Sequence, residues 1–198
     1  VAAMVYVGSA VGAVFAGDLL TLFVHWELTA VSSVFLIWAS RTKESARSGL
    51  RYLIIQVGSG VLLLAGIIVH LSATGSLVFG RLIGDDGLLR SAGTGTVLIF
   101  VAFGIKSAFP FLHNWLTDAY PEATATGTVF LSAFTTKVAV YALARGFPGT
   151  DILVYIGAAM TCFPIFFAVI ENDLRRVLAY SMINQIGFMV CGVGIGTA

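Results

Sequence analysis

The chain has 198 residues, of which 58% are hydrophobic and only 11% charged, with a formal net charge of +1 and a mean hydropathy of +0.96. Soluble domains carry roughly 25% charged residues, so this composition excludes an ordinary soluble domain, and the near-zero net charge excludes a nucleic-acid footprint or a polybasic membrane patch. Cys162 and Cys191 lie in apolar runs without CxxC spacing, which argues against a disulfide or a metal site.

Hydropathy predicts an all-α polytopic bundle of about seven spans, at about 1–17, 18–39, 48–73, 94–117, 124–145, 151–172 and 176–198. Each suits a hydrocarbon core of about 30 Å at about 1.5 Å rise per residue. The first span carries "GSAVG" (8–12), a small-residue pattern suited to helix packing. The second holds "TLFVHWELTAVSS", with Glu27 in mid-span and His25 on another face. A polar break, "SRTKESARSG" (40–49), precedes the third span, which ends near His70. The connection over 74–93, with "IGDDGLLRSAGTG", reads as a Gly-rich loop. The fourth span contains "FGIKSAFPFLHNW", with Lys106, Pro110 and His113, and predicts a broken helix near 104–113. The fifth holds Lys137 within "FTTKVAVYALAR", the sixth contains Pro164 as a kink, and the last ends in "GVGIG" (192–196). The first residue is not Met and both ends lie in apolar sequence, so the chain is expected to be a segment of a longer membrane protein.

Alternating crossings place Arg41, Lys43, Arg47, Arg51, Arg175 and Arg176 on one side and Arg81, Arg90 and Arg145 on the other. The excess predicts that the first side is cytoplasmic. Two basic residues remain, Lys106 and Lys137, both within spans. Among the acids, Asp18, Glu44, Asp85, Asp86, Asp118, Glu122, Asp151, Glu171 and Asp173 fall at span ends or in loops, leaving Glu27 alone inside. The interior charges are therefore one carboxylate and two lysines on three helices.

An intramembrane charge costs about 3 kcal/mol or considerably more on an isolated helix, and survives only when it is paired, hydrated or neutral. Desolvation disfavours the charged form of an ionisable group, whereas an opposite charge favours it. A lysine poised between the two influences can exchange a proton, and movement of Glu27 relative to Lys106 would switch it. Pro110 lacks an N–H, so the helical bond to the Lys106 carbonyl is lost. Such a break is tolerated at membrane depth where protein encloses it or it lines a wet cavity. His113 follows Lys106 by seven residues, on the same stripe if the helix continues, and its imidazole can pass protons onward. The structural alternatives are a static Glu27–Lys106 ion pair, a snorkelling Lys137, an interfacial His113 and a His25 that only packs. No GxSxG, HExxH, P-loop or dinucleotide-binding motif is present.

"FVHWEL", "GIKSAFPFLHNWLTDAYPEAT", "FTTKVAVYAL" and "DLRRVLAYSMINQIGFM", in that order, resemble successive landmarks of the antiporter-like membrane subunits. These subunits are shared by Mrp-type multisubunit cation/proton antiporters and respiratory NADH:quinone oxidoreductase (complex I). The resemblance implies a subunit of two inverted five-helix repeats, each with a broken helix bearing a lysine. Residues 1–145 would form the first repeat and residues 151–198 the start of the second. By motif, Glu27, Lys106, Lys137 and His113 would form a proton relay, with Lys137 carrying protons laterally and Pro110 at the helix break. Thr117 and "EATATGT" (122–128) depart from the complex I pattern and resemble the D-type members of the Mrp group. The resemblance therefore implies proton translocation coupled to a monovalent cation, Na+, with a complex I proton-pumping subunit as the alternative. A membrane scaffold with static buried charges is the alternative of another class. It further implies a multi-pass protein of a bacterial inner (plasma) membrane, with partner membrane subunits, lipid, protons and Na+ as its contacts. No cofactor, metal, nucleic acid or catalytic centre is expected in this chain.

Overall fold

The computed structural model describes residues 1–84, 87–89 and 92–196; Asp85, Asp86 and Arg90, assigned above to a loop, lie outside the described residues. The described chain is all helical: α1 (Ala2–Phe15), α2 (Leu19–Trp38), α3 (Lys43–Thr74), α4 (Thr94–Lys106), α5 (Asn114–Ala119), α6 (Ala125–Gly146), α7 (Asp151–Ile170) and α8 (Leu174–Ile195). Five of these, α2, α3, α6, α7 and α8, are long and apolar enough to cross a membrane, and α1 and α4 are shorter apolar helices. The expected fourth span is divided into α4, an irregular segment and the six-residue α5.

Helix ends follow local chemistry. Asp18 caps α2 by accepting from the Thr21 N–H (2.7 Å) and hydroxyl (2.7 Å). These bonds hold the exposed Asp18 carboxyl below the usual carboxylate range. Thr42 and Ser45 form a reciprocal capping box that starts α3. The residues from Lys43 onward, expected in a polar loop, are therefore helical, and α3 reaches 32 residues. It ends on Gly75, whose φ of 71° suits a residue without Cβ. Thr124 caps α6 through the Gly127 N–H (3.1 Å).

Helix α1 packs on α2, α2 on α3, α3 on α4 and α7 on α8, while α6 touches α1, α2, α4 and α8, so it occupies the middle of the bundle. The α3–α4 crossing is close because Gly66 and Gly95 face one another: a Cβ on Gly66 would lie 2.9 Å from the Gly95 carbonyl. Phe35, Ile54, Val61, Phe166, Val169 and Leu178 point outward, as expected of helices whose solvent is hydrocarbon rather than water. Inside, Trp26, Phe79, Phe100, Phe103, Phe109 and Phe147 form a linked aromatic core.

Of the basic residues assigned to the two sides, Arg51 and Arg175 lie at one end of the bundle and Arg145 at the other. At one end Arg51 pairs with Asp118, and Arg175 donates to the Pro121 and Ala123 carbonyls (2.9 and 3.0 Å). At the other, Arg145 donates to the Ala16 carbonyl (2.7 Å) and lies 4.5 Å from the Phe79 ring centroid. Pro164 sits inside a continuous α7.

Candidate functional site

Helix α4 ends on Lys106, the only fully buried charged side chain among the described residues. The Ser107 N–H bonds back to the Phe103 carbonyl (2.9 Å), the Ala108 N–H to Ile105 (3.2 Å) and the Phe109 N–H to Gly104 (3.0 Å). The helix thus stops four residues before Pro110, and the break owes as much to its neighbours. Ala108 and Phe111 hold left-handed φ angles of 61° and 69°, which cost residues bearing a Cβ about 1–3 kcal/mol each. The Trp115 indole donates to the Ile105 carbonyl (3.1 Å), and its ring meets that of Tyr52 at 5.5 Å, fixing α5 beside the end of α4.

The Lys106 ammonium turns to α2. It donates to the Trp26 carbonyl (2.8 Å) and to Thr29 Oγ1 (3.2 Å), and lies 4.3 Å from the Trp26 ring centroid. The carbonyl and the ring's negative face both favour a cation. The Trp26 ring is itself held: it meets Phe103 at 5.1 Å and donates its indole N–H to Ser59 Oγ of α3 (3.1 Å). Thr29 Oγ1 also donates to the carbonyls of His25 (2.8 Å) and Trp26 (2.7 Å).

The static ion pair set out above as the structural alternative is not formed: among the described residues Glu27 makes no salt bridge with Lys106. The two side chains are nevertheless near enough to interact electrostatically. The reason lies in helix rotation. Glu27 lies next to Trp26 on α2 and is turned toward α3, where its carboxylate occupies the space that a Cβ on Gly60 would take. Its Oε1 is buried without a hydrogen-bond partner. His25, two residues earlier, turns instead toward Gly12 of α1, in keeping with a packing role.

His113 leaves the predicted stripe because the helix does not continue through the break. It sits at the N-terminus of α5 with its ring 4.7 Å from that of Phe163 on α7, and its Nδ1 is buried without a partner. Lys137 is on α6 and lines a cavity of about 520 Å3 with Tyr120, Ser132 and Gln185, among others. Glu27 and Lys106 are thus brought together around Trp26, whereas His113 and Lys137 stand apart from them. Trp26, Thr29, Ser59 and Gly60 escape a charge audit because they are uncharged. The signal that could have found them is Ser, Thr and Gly recurring at helical spacing beside an intramembrane charge.

Residues 16–198 match the family described as "NADH:quinone oxidoreductase/Mrp antiporter, TM". The chain is 34% identical to the D subunit of the Na(+)/H(+) antiporter of Alkalihalophilus pseudofirmus, over 94% of this chain and 40% of that protein. It is also 34% identical to the N subunit of the NADH-quinone oxidoreductase of Rhizorhabdus wittichii, over 92% of this chain and 40% of that protein. The chain therefore spans about 40% of the length of these curated relatives. Its fold superposes on a chain of the Mrp complex from Dietzia sp. with a TM-score of 0.85 and 27% identity, over 96% of this chain and 38% of that one. Against respiratory complex I from Thermus thermophilus the TM-score is 0.84 at 22% identity, over 98% of this chain and 44% of that one, a likeness of fold. With a family match over nearly its whole length and a common helical architecture, the chain belongs to the transmembrane family of NADH:quinone oxidoreductase and Mrp antiporter subunits.

Proposed function

We propose that this chain moves protons across a bacterial inner membrane as part of a multisubunit Na+/proton antiporter. The observation that carries the reading is the fully buried Lys106 ammonium, set at a helix break and held by a carbonyl, a hydroxyl and a ring face rather than by a bonded counter-ion. A lysine so held is not locked in an ion pair, which speaks against the static scaffold. Approach of the Glu27 carboxylate stabilises the ammonium, and its withdrawal releases the proton. In this reading Lys106 takes up a proton, Lys137 receives it farther along, and His113 exchanges protons on the α7 side. Residues 1–145 act as the first helical repeat and residues 151–198 open the second. The partners are further membrane subunits, a reading supported by the multisubunit Mrp and membrane-bound sulfane sulfur reductase complexes that contain similar chains.

A complex I-type role has its own support, in the equal identity to the N subunit of an NADH-quinone oxidoreductase. The departures at Thr117 and "EATATGT" favour the antiporter. Lys106→Ala and Glu27→Ala, expressed in native membranes, test the relay. Assembly should persist while proton movement in vesicles is lost; normal transport by both assembled variants would discard it. Transport driven by a Na+ gradient, with no response to NADH, would separate the antiporter from the respiratory reading.

A further inference from the structure

Gln56 of α3 is fully buried, yet neither its Nε2 nor its Oε1 has a hydrogen-bond partner. A buried amide orphaned at both ends is uncommon and points to a bound polar molecule, most simply water, which accepts at one lone pair and donates through its own hydrogens. The register of α2 against α3 places it. Ser33 faces Tyr52 (2.8 Å between hydroxyls) and Trp26 faces Ser59. Gln56, between Tyr52 and Ser59 on the same buried stripe, therefore lies at the level of Thr29, whose hydroxyl accepts from Lys106.

One turn away, Tyr52 enters a second cluster. Tyr6 and Tyr120 both reach the Leu131 carbonyl of α6 (3.5 and 3.0 Å). Tyr6 bonds Thr135 Oγ1 at 2.5 Å; the Tyr52 and Tyr120 hydroxyls, bonded to Ser33 Oγ and to the Leu131 carbonyl, are near enough to interact electrostatically with that threonine. Tyr120 in turn lines the Lys137 cavity. Hydroxyl groups thus run from Tyr52 to that cavity, and Lys106 with Thr29 stands at the other end. The interval between them is the level of Gln56.

We propose that Gln56 holds a water molecule joining Lys106 to the Tyr52 hydroxyl, so that Tyr52, Thr135 and Tyr120 carry protons sideways from Lys106 to Lys137. This rests on reading the two lysines as proton carriers. Each step conserves atoms and charge. Lys106 gives a proton to the water oxygen, and the water gives a different one to Tyr52. Tyr52 releases its own to Thr135, Thr135 its own to Tyr120 and Tyr120 its own to a cavity water, which delivers one to the neutral Lys137 amine as a new N–H bond. Gln56 is a positioning residue: its amide orients the water and changes no bond.

The test uses Gln56→Leu and Tyr52→Phe, singly and together, with proton transport followed in membrane vesicles. Gln56→Leu removes the two orphaned groups at similar volume, so the assembled protein should be at least as heat-stable as the parent. Transport should fall by roughly tenfold or more, within the range that a lost proton-transfer group commands. Tyr52→Phe should do the same, and the double variant should be no slower than the slower single, because both interrupt one route. Wild-type rates in assembled Gln56→Leu, or additive losses in the double variant, would overturn the route. Should Gln56→Leu fail to assemble, Tyr52→Phe decides alone, and wild-type transport by it overturns the proposal. Lys106→Ala separates the two levels: normal transport there fails the lysine relay itself, whereas a dead Lys106→Ala beside active Gln56 and Tyr52 variants fails only this route.

Discussion

Lys106→Met separates a proton carrier from a structural pillar, because the surroundings of the ammonium allow its removal to be costed. The substitution forfeits two hydrogen bonds from a charged donor, at 2.8 and 3.2 Å, each about 1.5–3 kcal/mol. It also loses the contact with the Trp26 ring at 4.3 Å, about 2 kcal/mol for a desolvated cation. Against this, the folded state no longer buries an ion, a penalty of several kcal/mol. No polar atom is orphaned: Thr29 Oγ1 keeps its bonds to the His25 and Trp26 carbonyls, which also leaves the Trp26 carbonyl a donor. The opposing contributions cancel to within a few kcal/mol. Lys106→Met should therefore melt close to the parent temperature in detergent, while proton transport in vesicles is abolished. A loss of about 3–5 kcal/mol, the signature of a broken buried pair, would refute this reasoning and make Lys106 a pillar. So would transport at the parent rate.

Gly60→Ala should act through Glu27. The new methyl meets the far end of a flexible side chain, so the carboxylate moves and the backbone does not. A helix-propensity gain of about 1 kcal/mol offsets much of an overpacking cost of about 1–3 kcal/mol. Thermal stability should change by about 2 kcal/mol at most while transport falls; parent-level transport would show that the seat of Glu27 does not matter. Pro110→Ala should leave the break in place, since the helix already stops at Lys106 and Ala108 is left-handed. A gain in helicity by circular dichroism would contradict that. Asp18 carries an acid-sensitive cap: its folded carboxyl titrates below the unfolded value of about 3.9, held down by Thr21. Its contribution is complete above the unfolded value and lost as pH falls through the lower folded one. Asp18→Asn should keep the cap yet flatten this acid limb in thermal melts; an unchanged limb would count against the assignment.

Glu27, Lys106 and Lys137 were legible as an unusual set because a charge in an apolar run is expensive wherever the helices go. The break and its place near 104–113 were legible through Pro110, but its backbone path was not. The chain ends the helix at Lys106 and places Ala108 and Phe111 in left-handed backbone, and that strain has no residue-type signature. The resulting turn takes His113 off the stripe of Lys106 and onto Phe163 of α7. Likewise, the start of α3 at Lys43 was hidden because a polar first turn, secured by the Thr42–Ser45 box, resembles a loop in hydropathy.

Hydropathy and charge placement by themselves determined that this protein is a membrane-spanning helical bundle and which three side chains are costly inside it. Both are properties of one chain segment against its solvent, readable along a line. Only the tertiary structure decided who answers those charges. Trp26 and Glu27 are adjacent in the chain, yet Lys106 takes the Trp26 carbonyl and ring while the Glu27 carboxylate turns to Gly60. Neighbouring side chains on a helix point about 100° apart. The choice therefore rests on how α2 is rotated and registered between α3 and α4, a relation between helices that no single segment encodes.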